Sequence, residues 1–466
     1  MPDGHARSWN QEATALRERL GRSFATGRTH DLNWRRTQLR ALADWLRGDG
    51  GERVLAALQS DLGKPAMEGY GTESGFLLAD IRHTLDHLDA WAAPRKVPGA
   101  LVNLPSKTVI RYQPKGVALI IAPWNYPVQL ALSPLVAALG AGCCAVVKPS
   151  ELAPASSALL AEALPKVLDP DAVAVFEGPV EASTALLAQP WDHLLFTGST
   201  RVGKIVMRAA AEHLTPVTLE LGGKSPTIVC DDADIALAAR RIAWGKFMNA
   251  GQTCIAPDYV LVDRKVQDRF LHEISATLQR FYGDDPQQSP DFARVVSADH
   301  HARLVGLLGG GRAAVGGQHD VTDRYLAPTI LVDVDLDAAV MQEEIFGPIL
   351  PVIPIDGIDA AIDFVQQRPR PLALYAFTSN HNRADALLSR TISGGACVND
   401  VISHIAALEL PFGGVGPSGM GAYHGEHGFQ TFSHARGIVE RYAFADAPIR
   451  YPPYEGNLRW IKMLMR

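Results

Sequence analysis

One of the five cysteines in this chain lies in a segment suited to nucleophilic chemistry. Cys254 follows a predicted helix within NAGQTCIAP, whose small residues let a ligand or another backbone segment approach closely. Cys143, Cys144 and Cys230 adjoin apolar runs, where a thiol is most simply a small buried residue. Cys397, in GGACVND, fits either interpretation. A thiol in a turn could form a covalent intermediate with an electrophilic substrate.

A carboxylate and an amide accompany two predicted strands. Glu220 interrupts the apolar run VTLELGG, so it is either held in an ion pair or used as a general base. Asn125, in APWNYP, directly follows the run VALIIA. Its amide either forms a turn before Pro127 or donates a hydrogen bond into a crevice beyond the strand. The residues alone leave both alternatives open.

Two further segments could contact a nucleotide. Lys148 ends the run AVVK, and Glu151 lies three residues later. The two side chains either form a solvated ion pair or bind the ribose hydroxyls of a nucleotide. FTGSTRVG follows an apolar run and opens a predicted helix. Gly198 and Ser199 could therefore present backbone N–H groups to a phosphate. A single glycine motif of this kind is a weak signal.

The apolar pattern predicts the elements that position these groups. The first ninety residues carry stripes at helical spacing, such as Trp9, Ala13 and Leu16. The proline-punctuated segment Pro94 to Tyr112 predicts an extended arm. From Gly116 short apolar runs alternate with helices, as in a parallel sheet covered on both faces. The alternation resumes after Gly223, which predicts a second α/β domain.

The composition excludes several classes of protein. The chain has 466 residues, 47 % of them hydrophobic, which is enough for two or three packed domains. A net charge of -6 argues against a nucleic-acid partner. No apolar run approaches the ~20 residues that span a bilayer, and the C-terminal NLRWIKMLMR is expected to pack on the surface. An odd number of cysteines without CxxC pairs predicts a cytoplasmic protein without a structural metal.

Taken together, these segments resemble the aldehyde dehydrogenase superfamily. The matching blocks occur in the family's order and are PWNYP, KPSE, FTGST, LELGGKSP, GQTC, EEIFGP and PFGGVGPSGMG. VNDVISH and YHGEHGFQTFSH are similar to the class 3 branch, which includes fatty, aromatic and coniferyl aldehyde dehydrogenases. The resemblance implies an α/β fold with a Rossmann-type cofactor domain, an α/β catalytic domain and a small β oligomerisation arm.

The resemblance also implies a role for each candidate residue. Cys254 would be the nucleophile, and Asn125 would share the oxyanion with the Cys254 backbone N–H. Glu220 would be the general base for hydrolysis, and its presence argues against acyl transfer to coenzyme A. Tyr126 and Asn399 would lie near the substrate, and Tyr126 and Phe76 line either an apolar funnel or the core. The implied cofactor contacts are Lys148, Glu151, Gly198, Ser199, Leu221, Glu344 and Phe346.

The implied cofactor is NAD, with NADP possible. A carboxylate at Glu151 would repel a 2′-phosphate, whereas Arg201 departs from the family pattern and could alter the preference. The implied substrate is an aromatic or medium- to long-chain aldehyde, and the implied assembly is a homodimer. The predicted domains are an NAD(P)-binding domain (1–93 and 113–222), a catalytic domain (223–430), an oligomerisation arm (94–112 and 431–445) and a C-terminal tail (446–466).

Overall fold

The computed structural model describes residues 3–103, 105–444, 446 and 448–464. Parts of the predicted arm (104 and 445) and tail (447, 465 and 466) therefore lie outside the described residues. The helices are α1 (Asp3–Ala25), α2 (Leu32–Arg47), α3 (Asp49–Leu62), α4 (Ala66–Gly69), α5 (Gly75–Ala92), α6 (Gln129–Ala141), α7 (Pro154–Val167), α8 (Val180–Leu187), α9 (Thr200–Ala211), α10 (Ile235–Phe247), α11 (Gln267–Tyr282), α12 (Ala298–Leu307), α13 (Ala339–Gln342), α14 (Gly357–Gln366), α15 (His381–Arg390), α16 (Gly425–Thr431) and α17 (Leu458–Leu464).

The strands form four sheets. They are β1 (Arg95–Lys96), β2 (Ser106–Pro114), β3 (Val117–Ile121), β4 (Cys144–Lys148), β5 (Val173–Val175), β6 (His193–Gly198), β7 (Val217–Leu221), β8 (Pro226–Val229), β9 (Tyr259–Asp263), β10 (Arg312–Val315), β11 (His319–Asp320), β12 (Tyr325–Leu326), β13 (Thr329–Val332), β14 (Ile349–Ile355), β15 (Ala373–Phe377), β16 (Gly395–Val398), β17 (Gly419–Met420) and β18 (Ser433–Arg441). Strands β11 and β12 form a small sheet by themselves.

A six-stranded sheet has the order β17-β7-β6-β3-β4-β5. Its strands pair in parallel except for β17, which is antiparallel to β7. β3 and β4 are buried along their whole length, as expected of apolar runs covered on both faces. The order is that of a Rossmann-type sheet, in which β3 and β6 flank the point where the strand order reverses.

A seven-stranded sheet has the order β10-β13-β14-β9-β8-β15-β16. Only its edge strand β10 runs antiparallel to its neighbour. Strands β8, β9 and β15 are fully buried, which agrees with the alternation predicted after Gly223. The two large sheets confirm the predicted α/β fold.

The predicted extended arm forms a three-stranded antiparallel sheet. Its order is β1-β2-β18, and β18 pairs with β2 from Ser433 opposite Pro114 to Arg441 opposite Ser106. Most β18 side chains are exposed or half-buried. The sheet therefore projects from the main core.

Helices α1–α5 account for the apolar stripes of the N-terminal region. Between α4 and α5 the backbone makes one π-helical turn, Tyr70–Ser74, which carries Glu73 into the interior. Such wide turns occur frequently at functional sites. Of the described helices, none is both long and apolar enough to cross a membrane.

Candidate active site

The turn before Cys254 has an unusual backbone. Asn249, Ala250 and Gly251 are three consecutive residues in the left-handed region, with φ of 53°, 51° and 74°. Residues other than glycine adopt this backbone conformation only when their surroundings enforce it. Gln252 supplies part of that enforcement, because its amide donates to the carbonyl oxygens of Asn249 and Arg294, both at 2.9 Å. The strained turn thus fixes where Cys254 lies.

Glu220 lies at the carboxyl end of β7 and is almost fully buried. Neither carboxylate oxygen has a hydrogen-bond partner among the described residues. Burial raises the pKa of Glu220 well above its usual range. The structural ion pair considered for this residue is absent from the described part of the chain, so the carboxylate remains available for chemistry.

Asn125 lies in the loop between β3 and α6 and is buried. Its side-chain amide Nδ2 donates to the carbonyl oxygen of Gln252 at 3.0 Å, two residues before Cys254. Its own carbonyl oxygen accepts from the Asn249 side chain at 2.9 Å. The amide is therefore joined directly to the turn that carries the thiol, and Nδ2 retains a second hydrogen for a ligand.

Two openings meet at Cys254. One is an apolar cavity of about 280 Å³, whose wall includes Phe76, Tyr126, Leu130, Trp244, Met248 and Ile405. The other, here called the strand-end cleft, has a volume of about 630 Å³ and includes Asn125, Gly198, Ser199, Glu344 and Phe346 in its wall. Thr197, Glu220, Leu221 and Cys254 line both. A molecule in each opening would meet its neighbour at the thiol.

The strand-end cleft has the features of a dinucleotide site. It lies beyond the ends of β3, β6 and β7, where the strand order of the sheet reverses. Ser199 caps α9 by accepting from the Val202 N–H. Because Ser199 and the first residues of α9 line the cleft, the N-terminus of this helix lies at the cleft wall. The Glu344 carboxylate packs directly against Gly222, so that a Cβ at this position would displace it.

Lys148 and Glu151 do not belong to the described wall of the cleft. Lys148 is buried at the end of β4 and donates to the Glu151 carboxylate at 2.9 Å, and the Glu151 side chain is 40 % exposed. Lys148 pairs in register with Ile121 at the end of β3. The Lys148 ammonium group and the Glu151 carboxylate therefore lie at the same sheet edge as the cleft. Their contact with a nucleotide stays a prediction.

The two candidate substrate residues have different surroundings. Tyr126 lies on the wall of the apolar cavity, and its hydroxyl is 2.6 Å from Thr253 Oγ1. The side chain of Asn399 instead accepts from the Thr378 N–H and donates to the Thr378 carbonyl oxygen, both at 2.9 Å. Asn399 is not among the wall residues of the cavity, and its contacts favour a role in holding the β16 turn. Phe76 does line the cavity.

Burial governs the electrostatics of the site. Burial first, then the neighbouring carboxylates of Glu344 and Glu220, raise the pKa of the Cys254 thiol. Burial, and to a smaller extent Asp258, raise the pKa of Glu344 to about 8. The raised pKa values therefore favour the protonated forms of the thiol and of the Glu220 and Glu344 carboxyl groups. A positive charge arriving beside them would favour the ionised forms of all three.

Several polar groups at the site carry no signal in the sequence analysis. Glu68 lines the apolar cavity, and burial raises its pKa to about 7 although it accepts from the Asn249 N–H. Gln129 and Tyr423 also line this cavity, and their side chains interact with each other. These residues belong to distant helices and loops. Only the proximity of the elements could have indicated them.

One group of side chains among the described residues has the composition of a metal site. His83, His87 and Glu409 have ligand atoms within 4.8 Å of one another. The two imidazole rings are tilted by 38° with centroids 4.3 Å apart, and the Glu409 side chain is 72 % exposed. Exposed acidic side chains beside histidines are common without an ion, so we assign no metal to this group.

The fold and the site define an α/β oxidoreductase with a thiol between a strand-end cleft and an apolar cavity. The chain belongs to the aldehyde dehydrogenase family: the sequence model of that family matches residues 10–438. It is accordingly an NAD(P)-dependent enzyme that oxidises aldehydes to carboxylic acids. Its branch follows from a similar mammalian protein. The chain is 46 % identical over 450 residues to aldehyde dehydrogenase family 3 member A2 of Mus musculus. The alignment covers 96 % of this chain and 93 % of that protein.

Two bacterial relatives are similar over a comparable share of the chain. The chain is 43 % identical to the 4,4'-diaponeurosporen-aldehyde dehydrogenase of Staphylococcus aureus, with coverage of 95 % of this chain and 97 % of that protein. A solved structure of Staphylococcus aureus AldH in a substrate-bound state superposes with a TM-score of 0.95 at 42 % identity, covering 97 % of this chain and 99 % of that one. The predicted relation to the class 3 branch is confirmed.

The raised pKa of the Cys254 thiol has a measurable consequence. We expect Glu344→Gln to accelerate alkylation of Cys254 by iodoacetamide about three- to tenfold at pH 9, because one pKa unit changes the thiolate fraction by up to tenfold. Near pH 6 the rates should be equal, since Glu344, with a pKa of about 8, is then uncharged in both proteins. The measurement is the rate of alkylation against pH without cofactor.

Glu343→Gln is the matched control, because Glu343 is the preceding residue and its side chain is 50 % exposed. An equal acceleration in this control, or an acceleration that persists at pH 6, would contradict the assigned electrostatic coupling.

Proposed function

We propose that Cys254, Asn125 and Glu220 are the catalytic residues of aldehyde oxidation in this chain. The observation that carries the proposal is the position of Cys254 and Glu220 on the shared boundary of the strand-end cleft and the apolar cavity. A substrate carbonyl in the cavity would lie between the thiol and the cleft. The amide of Asn125 is held beside the same turn.

The Cys254 thiol first loses its proton to solvent; its sulfur then attacks the aldehyde carbon and forms a C–S bond, while the carbonyl oxygen becomes an oxyanion. Asn125 Nδ2 and the Cys254 backbone N–H donate to that oxygen, and a preorganised donor of this kind contributes about 3 kcal/mol. An oxidised nicotinamide cofactor, when bound, would supply a positive ring charge and a hydride acceptor, so that the C=O bond re-forms as the C–H bond breaks and a thioester remains on Cys254. Gly198, Ser199, Leu221, Glu344 and Phe346 are the residues of the cleft that would hold the cofactor.

Glu220 removes a proton from water as that water attacks the resulting thioester. The new C–O bond replaces the C–S bond, the acid leaves, and the proton passes to the Cys254 sulfur. The unpartnered carboxylate suits this role, because no described cation or donor competes for its lone pairs. Its low-dielectric surroundings also raise its basicity.

Loss of the nucleophile and loss of the base should have different effects. We expect Cys254→Ala to abolish aldehyde-dependent NADH formation. Glu220→Gln should keep a rapid first turnover and slow the steady state by about 10²-fold or more, because it impairs only thioester hydrolysis. Stopped-flow measurement of NADH separates the two phases.

A Cys254→Ala protein with full activity would refute the assignment of the nucleophile. If wild-type turnover depended on added coenzyme A, the enzyme would be an acyltransferase-type relative. The same assay across an aldehyde panel tests the substrate, which we propose to be an aromatic or medium- to long-chain aldehyde. The apolar wall of the cavity, with Leu130, Trp244 and Met248, supports that class.

We further propose that NAD is preferred, although NADP is not excluded by the cleft. The Glu151 carboxylate, held by Lys148, would repel a 2′-phosphate at the sheet edge. Glu151→Gln should therefore raise kcat/KM for NADP relative to NAD by about tenfold, the equivalent of 1.4 kcal/mol. Glu162→Gln, at an exposed carboxylate that also contacts a lysine, is the control and should leave the ratio unchanged. An unchanged ratio in Glu151→Gln would place the discrimination elsewhere.

The three-stranded arm supports a homodimer as the proposed assembly. Strand β18 spans nine residues, and one edge has no neighbouring strand among the described residues. A long exposed edge is a template for pairing with another chain. We expect sedimentation at micromolar concentration to give twice the chain mass of 50.3 kDa, and Val439→Asp on this strand to weaken the assembly. A monomer under these conditions would contradict the proposal.

The remaining expectations also stay proposals. We place the NAD(P)-binding domain at 1–93 and 113–222, the catalytic domain at 223–430, and the arm at 94–112 and 431–445. All five cysteines are free in the structure, which supports a reducing compartment such as the cytoplasm.

A further inference from the structure

A fully buried ion pair lies beside residues 125–129, here called the catalytic loop. Lys64 Nζ donates to Glu73 Oε1 at 2.6 Å, and both side chains are 0 % exposed. Lys64 follows α3, and Glu73 lies in the π-helical turn before α5. Neither residue lines the apolar cavity or the strand-end cleft. The pair therefore cannot touch substrate or cofactor directly.

Lys64 uses its remaining donor capacity on the catalytic loop. Nζ donates to the carbonyl oxygen of Asn125 at 3.1 Å and lies 4.1 Å from the ring centroid of Tyr126. An ammonium group has three donors, and a cation over an aromatic face is stabilised by the ring. The charge thus fixes the peptide between the amide-bearing residue and the cavity-lining tyrosine.

Glu73 holds the other end of the same loop. Its Oε2 accepts from the backbone N–H groups of Val128 at 2.9 Å and Gln129 at 3.1 Å, at the start of α6. A carboxylate at a helix N-terminus satisfies donors that the helix leaves free and interacts favourably with its dipole. Residues 125–129 are consequently clamped at both ends by one ion pair.

We propose that the Lys64–Glu73 ion pair is a positioning element for the Asn125 amide, which sets the distance between that amide and the Cys254 turn. The inference rests on the proposed function, in which Asn125 stabilises the oxyanion. Asn125 reaches the turn through its hydrogen bond to Gln252, so rotation of the 125–126 peptide would move the donor away from the reacting carbonyl. Lys64 and Glu73 act only through this loop and are positioning residues.

A double-mutant cycle tests the proposal. Lys64→Met, Asn125→Ala and the double variant are compared by the rate of the first turnover of NADH in stopped flow. Asn125→Ala should slow this step about 10²- to 10³-fold. Lys64→Met should slow it about tenfold or more when Asn125 is present and less than twofold when it is absent, because residues that act through one another are not additive. The affinity for NADH, measured by fluorescence, should be unchanged in both single variants.

Lys64→Met leaves Glu73 without its partner and could fail to fold. In that case the cycle uses Lys64→Met/Glu73→Gln, which removes both charges together. Ser133→Ala is the matched control, because Ser133 donates to Asp80 at 2.6 Å and links α5 to α6 without touching the loop. It should lower thermal stability and leave the first turnover unchanged.

The outcomes distinguish the positioning role of the Lys64–Glu73 ion pair from the oxyanion role of Asn125. Equal slowing by Lys64→Met with and without Asn125 would overturn the positioning role, as would no slowing in either background. Slowing by Ser133→Ala to the same degree would also overturn it, because general loosening of the helices would then suffice. If Asn125→Ala alone retained the full rate, the proposed oxyanion role would fail instead.

Discussion

Burial of three acidic groups beside one another at Cys254 is the constraint on which the proposed chemistry depends. The thiol and the carboxyl groups of Glu220 and Glu344 converge there, and burial is the first cause of the raised pKa of each. Three acidic groups so close together cannot all be charged without a cation. In the proposed function, a positively charged nicotinamide ring in the strand-end cleft would supply that charge. Burial would also strengthen each hydrogen bond to the proposed oxyanion.

Sheet topology explains why these groups meet. Parallel strands deliver their following residues to one edge, and Asn125, Gly198 and Glu220 follow or end β3, β6 and β7 of a single sheet. Cys254 comes from the chain between β8 and β9 of the second sheet. The proposed catalytic groups thus lie where segments from two sheets meet. Neither sheet alone supplies both the Cys254 thiol and the Glu220 carboxylate.

The N-terminal helices contribute more than a cover for the core. Through Lys64 and Glu73 they reach the loop after β3, and through Glu68 they reach the backbone of the strained turn at Asn249. A left-handed turn and a dry ion pair each require surroundings that compensate their cost. Here they stabilise adjoining segments, so the geometry at the thiol is shared among three parts of the chain.

Most of the fold and part of the site could be predicted from the sequence. The alternation of apolar runs and helices indicated a parallel sheet in each half of the chain, because burial on two faces leaves a local, continuous pattern. Cys254 and Glu220 also stood out locally, one by the small residues around it and the other as a charge within an apolar run. The family blocks supplied the remaining roles, since they carry information that a single pattern does not.

The contacts between distant segments were decided only by the tertiary structure. Lys64 and Glu73 look like ordinary surface charges in the sequence, and only packing makes them a dry pair beside Asn125. Asn399 stands in a segment that resembles substrate contacts, yet its amide is engaged by Thr378. The physical reason is that hydropathy and spacing encode which face of an element is buried, whereas the partner of a buried polar atom depends on which other elements arrive there.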